Sequence, residues 1–436
     1  MLTLSPTEER AKAAAEAEAS SEAGSPAEIG VRAEGRVAAE AGAGPGSAYD
    51  GTLFFERSGP MYRVMQRIGV IKGEGPSIGR RLFWFFLVTW VPLLVLSLVG
   101  GRALGPTPRE SFLLDFASYA RFFAAVPLLI IAEVVVGPRL REAGLRFVGG
   151  GFVRPADLPA FDAAVARVVR RRESALAEAL ILGLALYGAW NLSADNWQPQ
   201  SAPGWHHATL RHGVAAALPG LWYHCVSLPL MQFLLVRWVW RLAIWSLFLW
   251  DVSRLDLDVV PTHPDQAAGL GFLGQAHMTL AIFAVAASVV LSAEVAFRVR
   301  YESAALASYK LPLVIYLVLV EAIVLGPLLV FAPLLVRARR VGLGKYGALA
   351  NRYNRAFHRK WVDGPPTDEP LLGTADIQSL ADLGNSFGFV RAMNVLPVTR
   401  DHVIRVALLT VIPMMPLVFL VMPVAAILDY LTKMLL

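Results

Sequence analysis

His263 and Asp265 carry the sequence's most suggestive chemistry. They lie in Pro261-Thr-His-Pro-Asp-Gln-Ala-Ala-Gly-Leu-Gly-Phe-Leu-Gly274, a polar stretch between two strongly apolar ones. An imidazole two residues from a carboxylate is a candidate general acid/base pair. Pro261 and Pro264 push Val260 and His263 away from the α region. Asp256 and Asp258 alternate with Leu255, Leu257 and Val259, which predicts an extended lead-in. Asp265 is placed to cap a helix expected to begin with Gln266–Gly274 and run on into an apolar span. The stretch reads as a fixed elbow at a membrane surface. Its helix N-terminus, with His263 beside it, suits a phosphate or carboxylate, but a capping Asp265 competes for the same amides.

Gly269, Gly271 and Gly274 spell GxGxxG. A dinucleotide site needs that string inside a βαβ unit, which nothing here supplies, so no cofactor is expected. Close helix packing accounts for the glycines better. His206, His207 and His212 cluster with Trp197 and Trp205, yet no acid or thiol has matching spacing and there is no HExxH. Interfacial anchoring by the tryptophans is the expectation, with no metal. His224, beside Tyr223 and Cys225, falls within an apolar span as a hydrogen-bonding or pathway residue. Three carboxylates also fall in spans. Glu133 is within reach of Arg139, Glu294 lies one turn before Arg298, and Glu321 has no charged residue within two turns of its own helix. A carboxylate near the bilayer centre must face protein or water, so these three and His224 are the candidates for an ion pathway.

The elements that must position these residues are membrane helices. The 436 residues are 56% hydrophobic and only 17% charged, with mean hydropathy +0.51. Apolar intervals of the required ~20 residues fall near 82–101, 117–137, 176–195, 214–236, 275–297, 311–336 and 405–430. The fold class is therefore all-α, a polytopic helical membrane protein of about seven spans. Arginines concentrate before span one, between spans two and three, and after span six. This puts the N-terminus and the His263 elbow in the cytoplasm. The net charge of +6 points to anionic lipid on that side as partner, and not to nucleic acid. The single Cys225 excludes an internal disulfide.

Residues 1–52 form an Ala/Glu/Gly-rich tail, without the apolar h-region of a signal peptide. Residues 53–80 contain a basic amphipathic helix, with Met61, Val64, Met65, Ile68 and Ile71 at helical spacing. The membrane domain covers 81–436. Phe161, Val165 and Val168 mark a second amphipathic helix. Tyr346, Leu349, Tyr353, Phe357 and Trp361 mark an aromatic face on a third, within a helical cytoplasmic insert at 337–404. Both are expected to dock on the membrane interface. A further helix starts at Asp376, with Ile377, Leu380, Leu383 and Phe387 inward. Prolines such as Pro92, Pro327, Pro413 and Pro416 interrupt the spans, as kinks for packing. No internal repeat is visible.

Pro261–Gly274, the stretch TADIQSLADLGNSFGFVRAMNVLPV at 374–398 and Trp240–Trp250 together resemble a family of uncharacterised bacterial inner-membrane proteins. The resemblance covers most of 80–436 and implies the architecture and the bacterial inner membrane, without catalytic residues. Where its usual first motif has Gly-Gly this chain has Ala268-Gly269, which suggests that the first position requires smallness and not a positive φ.

The leading expectation is a channel or proton-coupled transporter for a small ion or solute, as a homo-oligomer, using Glu321, Glu133, Glu294 and His224. The second is a membrane-embedded enzyme for a lipid-linked or phosphorylated substrate, with His263 and Asp265 as acid and base. The third is an assembly or signalling scaffold. An enzyme requires His263 among polar groups in a cleft; a transporter requires a polar path through Glu321.

Overall fold

The computed structural model describes residues 59–71, 77–193, 205, 214–364, 369–370 and 375–420. The tail and the His206–His207–His212 cluster lie outside them. The described chain is all helical. Six helices are long and apolar enough to cross a membrane, or seven if Pro155–Arg172 and Ala175–Asn191, bent by 47°, form one span.

The short α1 (Pro60–Arg67) stops well before the first span, α2 (Ile78–Val99). Pro92 deprives α2 of one amide, which orphans the Val88 carbonyl four residues back. Trp222 Nε1 donates to that carbonyl at 3.0 Å, and Ser227 Oγ to the Thr89 carbonyl at 3.0 Å. The carbonyl freed by the proline is thus satisfied by a neighbouring helix, as backbone polar groups in a membrane require.

Next come α3 (Phe116–Gly149, with a π turn at Ala120–Ala125), α4 (Leu158–Arg172) and α5 (Ala175–Ser193). The helix α6 comprises Val214–Trp222, a π turn at Tyr223–Ser227 and Leu228–Ser253. The α4 stripe packs on protein, where the interface was expected. Phe161, Val165 and Val168 are all buried, and Phe161 meets Phe248 of α6 at 5.8 Å.

The elbow leads into α7 (Gly271–Met278) and α8 (Ala281–Tyr301). The buried face of α8 is small, with Ala281, Ala284, Ala286, Ser288 and Ser292. Small side chains let helices approach closely where lipid supplies no hydrophobic drive to associate. Span six is interrupted: α9 (Lys310–Leu325) gives way to a 3₁₀ stretch at Gly326–Phe331, where Gly326 and Pro327 stand, and then to α10 (Ala332–Phe357).

The α10 helix carries straight on from the span into the aromatic stretch. That face meets α11 (Ala375–Ala392). Tyr353 Oη donates to the Asp376 carbonyl at 2.9 Å, and Trp361 Nε1 to the Asp376 carboxylate at 3.0 Å. Leu380, Leu383 and Phe387 are half-buried there, whereas Ile377, expected to face inward, is exposed. Last is α12 (Arg400–Val411), the start of the final candidate span.

Candidate functional site

The Pro261–Gly274 loop is held from three sides. The Asp258 amide donates to the Phe152 carbonyl at 2.8 Å, the Val260 amide to the Ala268 carbonyl at 3.2 Å, and the Asn394 amide to the Gln266 carbonyl at 2.7 Å. A Cβ on Gly342 of α10 would fall 2.9 Å from both Pro261 Cβ and Val390 Cγ1, so that glycine seats the loop and α11 together.

Asp265 organises the inside of the loop. Its Oδ1 accepts from the amides of Ala267 (2.9 Å) and Gly269 (3.0 Å), and its Oδ2 from the amide of Gly271 (2.8 Å). The helix starts at Gly271 and not at Gln266. Turns fill the interval because Gln266, Ala268 and Gly269 all adopt positive φ, at 55°, 55° and 95°. That overturns the expectation for Ala268: the position is left-handed as well as small. Burial pushes the Asp265 carboxyl up, but the three amides and His263 more than offset it and hold it below its ordinary value.

His263 Nδ1 stands 2.8 Å from Asp265 Oδ1. The Asp265 amide lies 3.3 Å from the same nitrogen. One nitrogen cannot serve both a carboxylate and an amide proton; the shorter, charged contact prevails, so Nδ1 carries the proton. Nε2 is left as an acceptor.

This dyad opens onto a cleft of about 590 Å³. Its walls combine the loop with Arg146 and Phe152 of the α3–α4 region, Gln275 of α7, Asn394 and Leu396–Thr399 after α11, and His402 of α12. His402 is held in the complementary way. Its Nδ1 accepts the Thr399 amide at 3.2 Å while Thr399 Oγ1 caps the His402 amide at 3.4 Å, which leaves the proton of a neutral ring on Nε2. Gly274 permits this closeness, since a Cβ there would meet the Pro397 carbonyl at 2.5 Å and His402 Cε1 at 2.6 Å. Arg146 is aimed by Glu142 Oε1, 2.7 Å from its Nη2, and lies 5.9 Å from the Phe272 ring centre. The GxGxxG glycines therefore serve this cleft wall, with no strand among the described residues.

The remaining candidates lie elsewhere and do not meet. Glu133 binds Arg81 (2.5 Å) and Arg241 (2.7 Å), with Arg237 at 3.8 Å. Arg139, its expected neighbour, turns to Glu142 at 3.4 Å instead. Arg237 also lies 3.8 Å from Glu178, whose other oxygen accepts the Met61 amide at 2.6 Å and so fastens α1 to the bundle. Glu294 pairs with Arg298 (3.0 Å) as its spacing predicted, and also with Arg121 (2.7 Å). Arg121 donates in addition to Tyr223 Oη at 2.6 Å, joining the two π turns. His224 is half-buried against Tyr223, ring centres 5.1 Å apart. Both Glu321 oxygens are enclosed with no hydrogen-bond partner among the described residues.

Sequence reading passed over Gln275, Asn394, His402 and His277. The Thr399-x-x-His402 spacing was the available signal for one of them, since it places a side chain at N3 of a helix. His277 had none. Its Nε2 accepts from Trp245 Nε1 at 2.7 Å and its Nδ1 lies 2.7 Å from the Val324 carbonyl, near the end of α9.

No family model matches the chain, and neither a curated protein nor a solved structure does. What holds is a multi-span helical membrane protein.

Proposed function

We propose that the chain is a membrane-embedded enzyme that performs acid/base chemistry on a lipid-linked or phosphorylated substrate at the membrane surface. The observation that carries this reading is the His263–Asp265 pair, 2.8 Å apart, opening onto the 590 Å³ cleft with Arg146 and His402. Asp265 orients the imidazole, and His263 Nε2 takes a proton from a water or substrate hydroxyl. His402 Nε2–H serves as the donor, and Arg146 neutralises a phosphate or carboxylate. The two stretches that resemble an uncharacterised bacterial family, 261–274 and 374–398, both contribute to this cleft. The arginine distribution favours its cytoplasmic placement. Transport through Glu133 and Glu294 is less favoured, since arginines already hold both.

The test is turnover by the purified protein in liposomes, over a panel of lipid phosphates and soluble phosphate esters. His263→Ala should lose about 10²–10⁴-fold in kcat with folding intact, the usual weight of a general base. A panel member turned over equally by wild type and His263→Ala would remove the dyad from the chemistry.

A further inference from the structure

Glu321 is the one membrane-span carboxylate of the sequence reading whose oxygens the described residues leave without a hydrogen-bond partner, and it stands apart from the cleft. It lies four residues before the end of α9, just ahead of the 3₁₀ interruption at Gly326–Phe331. Val320 and Val324 beside it are buried, while Val318 and Leu319 face outward at 62% and 54% exposure. Glu321 therefore sits on the seam between the protein-facing and lipid-facing sides of the helix. Both its oxygens are shielded and accept no hydrogen bond from a described residue.

The charged and titratable groups on the packed elements are engaged elsewhere or exposed. His277 of α7 is taken by Trp245 and Val324. On α8, Tyr316 of α9 reaches Ser288, Glu294 pairs with Arg121 and Arg298, and Arg300 is exposed. On α12, His402 accepts the Thr399 amide, and Asp401 and Arg405 lie 3.7 Å apart on an exposed face. Lys310, at the start of α9, is exposed about three turns away.

An ionised carboxylate cannot persist dry and unpaired inside a membrane span, so the group needs a bound cation, a proton included, to be stable there. The neighbouring chain break adds a second feature. Pro327 has no amide proton to give the Ile323 carbonyl, and interrupted helices of this kind place free backbone oxygens beside carboxylates at cation sites. We propose that Glu321 and the interruption after α9 form a proton-binding site inside the membrane, reached from the lipid side. With both oxygens shielded and no described side chain hydrogen-bonded to them, the ligand of the site is a proton carried on the carboxyl oxygen.

The experiment uses the wild-type full chain in liposomes and a lipid-soluble carbodiimide, dicyclohexylcarbodiimide. A protonated acid gives its proton to a carbodiimide nitrogen and adds its oxygen to the central carbon; rearrangement leaves an N-acylurea that retains every atom of both. Mass spectrometry of the Glu321 peptide should show this adduct, falling at least several-fold as pH is raised. A water-soluble carbodiimide should leave the peptide unlabelled, and Glu133 and Glu294 should remain unlabelled throughout. Glu321→Gln should abolish the adduct. No adduct at any pH in folded protein, or an adduct that is constant with pH, overturns the proposal. Protection by sodium at fixed pH also overturns it, because the ligand is then a metal cation.

Discussion

Asp265 Oδ1 lies 2.8 Å from His263 Nδ1 while the same carboxylate holds the amides of Ala267, Gly269 and Gly271, so one side chain orients the imidazole and shapes the loop that presents it. The loop geometry and the orientation of the proposed base therefore depend on the same residue. Asp265→Ala strands three part-buried amides and should lower stability by about 1–3 kcal/mol, read by thermal unfolding in detergent. Asp265→Asn retains an acceptor oxygen and should lose less stability, yet lose activity by misdirecting His263. Full activity in the Asn protein would reduce Asp265 to a loop cap.

The lowered Asp265 pKa also sets a pH dependence. A carboxyl held below its unfolded value of about 3.9 contributes stability above that pH, and the contribution is lost as pH falls through the folded value. Unfolding temperature measured from pH 7 down to about 3 should drop less steeply at the acid end for Asp265→Asn than for wild type. Parallel acid limbs would mean that the amides hold the neutral acid as well as the anion.

Ala268 has φ 55° and is fully buried. An L-residue there carries a cost of about 1–2 kcal/mol that glycine avoids. Ala268→Gly should raise stability by up to about 1 kcal/mol after glycine's greater unfolded entropy is subtracted. A clear loss of stability would show that the methyl group's packing outweighs the strain.

Gly274 faces the Pro397 carbonyl, 2.5 Å from where a Cβ would stand. Backbone cannot move aside as a flexible side chain can. Gly274→Ala should cost about 1–3 kcal/mol by overpacking and displace His402 from the cleft. Wild-type stability together with wild-type turnover would contradict this reading of the contact.

Glu133 is the acid that Arg81, Arg237 and Arg241 share, with side chains only 7–14% exposed across the four. Glu133→Gln leaves buried guanidinium groups uncompensated, a loss of about 3–5 kcal/mol or failure to assemble. Glu321→Gln should be benign by the same measurement. Equal stability in both proteins would remove the distinction between a paired and an unpaired membrane carboxylate.

The sequence by itself determined the solvent of this protein and most of its helices. Runs of some 20 apolar residues have few alternatives to spanning a bilayer. It also marked the elbow, because proline and aspartate act on their immediate neighbours. The Glu294–Arg298 pair was legible for the same reason, being one helical turn apart. Tertiary structure alone decided which partners meet across helices: Arg81 and Arg241 with Glu133, Arg121 with Glu294, Tyr353 and Trp361 with Asp376. It alone brought His402 and Asn394 to His263, residues more than 100 positions away in the chain. Periodicity gives the face of each helix but not the neighbour it meets; here that choice falls to small residues: Gly274 lets the Pro397 carbonyl come close, and Gly342 admits Pro261 and Val390.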